Sequence, residues 1–234
     1  MLLYKWLIII PFLGISTLLL GTIIIIMSVL GQPDLASRVF GTLWARLNMA
    51  VTLVGIDVMG RDNVQSGQSY VIVANHQSLL DIYLLYGCTR MDIKWVMKKE
   101  LRAVPVLGLA CEMMGHIIID RSDTEAALAS IASAKQRISN GMSVVFFPEG
   151  TRSRDGTLGK FKKGAFRLAQ DLDIPVLPIT INGTNKILPS DTLHWRPGKA
   201  TMQIHEPIFT AGQTAVETNE LVAATRNAIA DALP

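Results

Sequence analysis

Cysteine is scarce in this 234-residue chain, with only Cys88 and Cys111 present. Two thiols without Cys-x-x-Cys spacing exclude a zinc-ribbon or redox framework and fit buried, reduced side chains. The four histidines, His76, His116, His194 and His205, also lack ligand spacing, so no metal and no cofactor is expected. Aromatic residues make up 6% of the chain and do not interleave with the basic ones, which removes the stacking platforms of a nucleic-acid module. No nucleic-acid partner is expected. A Gly-x-Ser-x-Gly elbow is missing, and neither cysteine sits in a recognisable nucleophile context, so any activated hydroxyl belongs to a substrate. Charge is missing where it matters most: from Trp6 to Gly31 there is none.

That uncharged run exceeds the ~20 residues a helix needs to cross ~30 Å of hydrocarbon. It also raises the mean hydropathy to +0.35. Residues 1–33 are therefore expected to form a membrane segment. A cleaved signal peptide fits less well, because its apolar core runs only ~7–15 residues and Ser28-Val29-Leu30-Gly31 is a poor cleavage site. Pro11, Gly14 and Gly21 keep a re-entrant hairpin open as an alternative to a full span. Lys5 precedes the segment while Arg38, Arg46 and Arg61 follow it, which leans the remainder toward the cytoplasmic face. Residues 34–64 read as an amphipathic helical segment, with apolar positions at helical spacing from 35 to 56. It either lies at the bilayer interface with Phe40 and Trp44 among the headgroups or packs on the core.

From residue 65 to 234 the chain alternates, as expected for a single α/β catalytic domain with a mixed sheet. Strands are expected at Tyr70–Ala74, Ile93–Met97, His116–Ile119, Ser143–Phe147, Val176–Ile181 and Thr201–His205. Helices are expected near Leu79–Tyr86, Asp123–Ser139, Gly164–Asp171 and Ala215–Leu233.

Two strand ends carry chemistry. Tyr70–Ala74 runs into Asn75-His76-Gln77-Ser78-Leu79-Leu80-Asp81, where a histidine leaving a strand meets a carboxylate on the following helix. A carboxylate behind an imidazole fixes its tautomer and lets the other ring nitrogen take a proton from a hydroxyl. Ser78 and Asp81 also read as an ordinary helix cap. Val144–Phe147 runs into Pro148-Glu149-Gly150-Thr151-Arg152-Ser153, a turn set by Pro148 and Gly150 whose arginine fork suits a phosphate. Beyond it, Arg152, Arg154, Lys160, Lys162, Lys163 and Arg167 face only Asp155, an electropositive run suited to a phosphate headgroup or an anionic lipid surface. Lys98-Lys99 is a second cationic site.

Taken together, His-x-x-x-x-Asp followed by Phe-Pro-Glu-Gly-Thr-Arg-Ser resembles the glycerolipid acyltransferase superfamily, and within it the 1-acylglycerol-3-phosphate O-acyltransferases. Gly115–Arg121 and Val176–Thr180 match two weaker blocks in the expected order, so the resemblance covers roughly residues 70 to 205. It implies an acyltransferase-like α/β domain in which His76 is the general base and Asp81 orients it. Glu149, Gly150, Thr151 and Arg152 would form the acceptor loop, with Arg121, Lys98 and Lys99 as further acceptor ligands. His116 departs from the apolar or small residue usual after Gly115. The implied partners are lysophosphatidic acid, an acyl-CoA or acyl carrier protein donor, and the bilayer. Two rivals stay open: another acceptor such as lyso-ornithine lipid, and a non-catalytic lipid-binding protein, which would have no need of a poised base.

Overall fold

The computed structural model describes residues 2–120, 141–210 and 217–234, with positions 123, 125, 129, 130, 133 and 138 between them. Most of the helix expected at 123–139 lies outside the described residues. Seven strands occur among the described residues: β1 Val54–Met59, β2 Val71–Ala74, β3 Asp92–Lys98, β4 Ile117–Ile119, β5 Met142–Phe146, β6 Val176–Asn182 and β7 Gly198–Ile204. The chain divides into two compact units, Met1–Leu53 with Ile82–Gln136, and Val54–Asp81 with Arg137–Pro234.

The second unit holds a mixed sheet in the order β1-β7-β6-β2-β5. β1 and β7 run parallel, β7 and β6 antiparallel, and β6, β2 and β5 parallel to one another. Strand β2 lies inside the parallel part, and its four residues Val71, Ile72, Val73 and Ala74 are wholly buried. An uninterrupted apolar run is what such a strand requires, because both of its faces are covered. Helix Gly164–Leu172 packs on β2 and buries Ala165, Phe166, Leu168 and Ala169, while helix Glu217–Asp231 packs on β6. Each large apolar side chain buried here contributes about 1.5–3 kcal/mol. Since β2 and β5 are parallel neighbours, with Val71 opposite Val144 and Val73 opposite Phe146, they end at the same edge. The turns that follow them therefore lie side by side, at the strand ends where α/β sheets usually place their sites.

β1 departs from the sequence reading, which carried the helical pattern to residue 56. The helix ends at Val51 and the chain becomes strand at Val54. Val54, Ile56 and Val58 are half-buried while Gly55, Asp57 and Met59 are exposed, a period of two that competes with the helical one over this short stretch. Gly60 ends the strand at φ +73°, and a Cβ there would lie 1.9 Å from the Ile204 carbonyl oxygen.

In the first unit, helix Leu2–Val29 is long and apolar enough to cross a membrane by length and composition, and only 28% of its most apolar stretch is buried. Leu3, Leu7, Ile15, Leu18, Leu19 and Ile26 are all exposed. The helix passes Pro11, Gly14 and Gly21 without a break, and the chain reverses only at Gly31, φ +79°. Residues 33–51 then run back as three helical segments, Pro33–Ala36, Ser37–Gly41 and Thr42–Val51. Tyr4 Oη donates to the Val51 carbonyl (3.0 Å), Asn48 Nδ2 to Ser16 Oγ (3.0 Å) and Trp44 Nε1 to Thr17 Oγ1 (2.9 Å), so the two arms are antiparallel. Trp44 is thus turned toward its partner helix. Parallel strands β3 and β4 complete the unit, and Cys88 and Cys111 are buried in it without a disulfide.

Candidate active site

Where β2 stops, the chain keeps its hydrogen bonds through a side chain. Asn75 is buried, its Nδ2 donates to the Ile181 carbonyl (2.8 Å), and its Oδ1 accepts from the Ile181 N–H (2.7 Å). One amide thus replaces a rung of the ladder to β6 and fixes the direction in which His76 leaves. The His76 Nδ1 lies 2.8 Å from Asp81 Oδ2. The same oxygen accepts from the N–H groups of Gln77 (2.7 Å) and Ser78 (2.8 Å), while Ser78 Oγ accepts from the Leu80 N–H (3.2 Å). This is a reciprocal cap. The carboxylate that starts helix Leu80–Cys88 thus also grips the imidazole.

Asp81 has no exposure, and an anionic acceptor can take only an N–H, so the proton on Nδ1 is assigned from this bond. Nε2 is then the basic nitrogen, and it makes no hydrogen bond to the described residues. The ring stacks on Phe147, with centroids 3.8 Å apart and planes 10° off parallel. Sequence reading missed both Phe147 and Asn75. Their signals were a polar residue closing an apolar strand and an aromatic directly before the Pro148 turn.

The turn after β5 is clamped to this segment from both ends. Glu149 Oε1 accepts from the His76 N–H (2.9 Å), and the Ser153 N–H donates to the His76 carbonyl (2.8 Å). Oε2 of Glu149 accepts from the Gly159 N–H (2.9 Å). Burial raises the Glu149 carboxyl above its ordinary value against the opposing pull of those two N–H bonds. Both carboxylate oxygens are spent on backbone, so the visible work of Glu149 is to hold the turn against His76. Gly150 has φ +78°, and the ammonium of Lys162 lies 2.9 Å from where a Cβ would stand. Thr151 is exposed. Arg152 donates from one terminal nitrogen to Asp191 Oδ1 (3.0 Å).

An open cavity of about 730 Å³ adjoins this turn, lined by Thr151, Ser153, Arg154, Lys160, Lys162 and Lys163 among others. Asp155, the acid of the basic run, is pulled down to about 2 by hydrogen bonds from Thr157 and Ser153. It stays anionic and is committed to its own loop.

The other expected ligands fall in the first unit. Lys98 ends β3 with Glu100 Oε2 3.8 Å away, while Lys99 pairs with Asp120, which raises its pKa. Arg121 lies outside the described residues. His116 is buried, accepting from the Trp95 N–H (3.5 Å), and burial, helped by Lys94, pushes it down to about 3. It is a neutral interior residue of its unit.

A mixed α/β sheet here presents an imidazole backed by a buried carboxylate beside a glycine turn with an arginine, an arrangement whose chemistry suits proton transfer at the strand ends. The chain belongs to the acyltransferase family: the family model described as Acyltransferase matches residues 55–182. It is 36% identical over 206 residues to a chloroplastic 1-acyl-sn-glycerol-3-phosphate acyltransferase of Brassica napus, covering 84% of this chain and 58% of that protein. It is 30% identical over 212 residues to the 1-acyl-sn-glycerol-3-phosphate acyltransferase of Saccharomyces cerevisiae, covering 89% and 70%. The crystal structure of PlsC, the 1-acyl-sn-glycerophosphate acyltransferase from Thermotoga maritima, superposes with a TM-score of 0.72 at 26% identity, covering 93% of this chain and 94% of that one. The chain spans 58% and 59% of the length of the Brassica napus and Chlamydomonas reinhardtii relatives it matches.

Proposed function

We propose that this protein transfers an acyl chain from a thioester, acyl-CoA or acyl carrier protein, to the sn-2 hydroxyl of 1-acylglycerol 3-phosphate, giving phosphatidic acid. The observation that carries this reading is the 2.8 Å bond between His76 Nδ1 and a fully buried Asp81, which leaves Nε2 open as a base. Nε2 takes the hydroxyl proton as that oxygen attacks the thioester carbonyl. The C–S bond then breaks, and the proton passes from the imidazolium to the departing thiolate. Asp81 stabilises the imidazolium in between. Holding both reactants at one strand edge supplies much of the rate through orientation. Arg152, in the turn clamped on His76, holds the acceptor phosphate, with Gly150 and Thr151 shaping its cradle and Glu149 bracing that turn against His76. Lys98, Lys99 and Arg121 are carried as further acceptor ligands by the family resemblance alone.

The substrate is a lipid, and the exposed apolar helix Leu2–Val29 keeps the enzyme in the bilayer, with the catalytic part on the cytoplasmic face. Deleting residues 2–31 is expected to release part of the protein from membranes while the basic run retains the rest at low salt. A truncated chain that stays wholly membrane-bound at high salt counts against the anchor.

Purified protein assayed with a panel of lyso-lipids and both thioester donors decides the chemistry. Acylation of lysophosphatidic acid in preference to lyso-ornithine lipid is the expected result. Equal use of the phosphate-free acceptor overturns the assigned acceptor, and no acyl transfer to any of them overturns the reaction.

A further inference from the structure

Asp191 draws two arginines onto one carboxylate. Arg152 donates to its Oδ1 (3.0 Å), and Arg154 donates to its Oδ2 from both Nε (3.2 Å) and a terminal nitrogen (3.1 Å). The backbone beneath that carboxylate is held firmly. Asp191 sits at φ +59°, a left-handed conformation that few residues other than Gly, Asn and Asp take at low cost. Its neighbour Ser190 is buried, and its Oγ is within donating distance of the carbonyls of both Gln77 (3.1 Å) and Ser153 (3.2 Å). Ser78 Oγ donates to the Leu188 carbonyl (2.7 Å). The 188–191 loop is therefore tied to the turn that carries His76 and to the turn that carries Arg152.

We infer that Asp191 is a positioning residue for the acceptor: it fixes the Arg152 guanidinium and brings Arg154 beside it, so that the phosphate meets two cations at a set place. This rests on the reading of Arg152 as the phosphate's ligand. Asp191 takes a single nitrogen of Arg152, and the rest of the fork makes no hydrogen bond to the described residues and stays available to an anion. The carboxylate and Arg154 are at the surface, 53% and 82% exposed, and Arg152 is partly open to solvent at 28%. Exposed ion pairs add little to stability. Folding gives no reason for the arrangement; aim does. A phosphate ligand with a free side chain would search many rotamers before each productive encounter, and fixing one corner of a planar fork removes that search.

The test is steady-state kinetics on the full chain for Asp191→Ala, Asp191→Asn, Arg152→Ala and the Asp191→Ala/Arg152→Ala double variant, with lysophosphatidic acid as acceptor. Asp191→Ala is expected to raise the acceptor KM roughly tenfold, while kcat and the donor KM change less than about twofold, as for loss of binding made equally in ground and transition states. Asp191→Asn keeps one acceptor oxygen and falls between, and it decides the matter if the alanine variant is unstable. In the double variant the Asp191 change is expected to add nothing to Arg152→Ala, because it acts through that side chain. An acceptor KM that rises for Arg152→Ala but is unchanged or lowered for both Asp191 variants overturns the inference, and a lowered value makes Asp191 a competitor of the phosphate. An acceptor KM unmoved by Arg152→Ala overturns the reading of Arg152 itself.

Discussion

The turns after β2 and β5 leave the sheet as neighbours and are built on opposite plans. In the first, the Asp81 oxygen receives three N–H groups, and Asp81 and Ser78 have no exposure. In the second, the charged tips face solvent: Arg152 is 28% exposed, and its partner Asp191 is more exposed still. A proton acceptor works only at a fixed distance and in one tautomer, which burial and a reciprocal cap enforce. An anion-binding fork has to admit its ligand from outside, so its tips stay open and its aim comes from a loop. The first turn should therefore govern turnover and the second the acceptor KM.

The sharpest way to break that division is to remove the base. His76→Ala is expected to lower kcat by roughly a hundredfold or more with folding and membrane association retained. Asp81→Asn keeps a neutral oxygen where the three N–H groups converge but cannot stabilise the imidazolium, so kcat should again fall by about a hundredfold. Its NH₂, buried where Oδ1 has no hydrogen-bond partner among the described residues, should cost about 1 kcal/mol of stability. Thioester turnover and a thermal melt measure both. Near-normal turnover in the alanine variant would sink the mechanism, and a mild asparagine phenotype would reduce Asp81 to a helix cap.

Glu149 sits between the two plans and sharpens the contrast. Its carboxylate spans from the His76 N–H to the Gly159 N–H, and glutamine can accept only one of them, leaving the other facing an amide NH₂. Such a mismatch costs about 1–3 kcal/mol. Glu149→Gln is thus expected to lower kcat about tenfold through loosened placement of His76 while the acceptor KM stays within about twofold. A large rise in acceptor KM with kcat preserved would instead put Glu149 in the phosphate cradle.

Much of this site was legible in the chain because its pieces are local. β2 is an uninterrupted apolar run and β5 is one from Val144 on, each leads into a motif, and Asp81 comes five positions after His76. What could not be read depends on contacts far apart in sequence. Glu149 braces a residue 73 positions away, and Asp191 meets Arg152 across 39. Nothing in the residues around Asp191 marks it, since its weight comes from where Ser190 and Ser78 pin the loop. β1 was hidden for another reason. Its six residues, alternately half-buried and exposed, begin three positions after a helix ends, and a period-two signal that short is easily absorbed into the helical one before it.

The smallest expected effect sets the proposed base, His76, beside the interior histidine. His76 is backed by a carboxylate, whereas His116 lies buried near Lys94, itself paired with Asp34 and Asp92 at 3.2 Å each. Burial and that cation push His116 from 6.5 down to about 3. Its folded pKa is below its unfolded one, so as pH falls the unfolded chain takes the proton first. The stability held by neutral His116 is complete above about pH 6.5 and is lost progressively toward pH 3, at up to about 1.4 kcal/mol per pH unit. His116→Asn retains an acceptor near the Trp95 N–H and does not titrate. The variant is expected to be slightly less stable at neutral pH but to lose less between pH 6.5 and 4 than the parent, measured as the difference in thermal midpoint across that range. Parallel slopes for the two proteins would mean that His116 takes a proton in the folded state as readily as in the unfolded one, and that this unit holds its histidine by something other than burial.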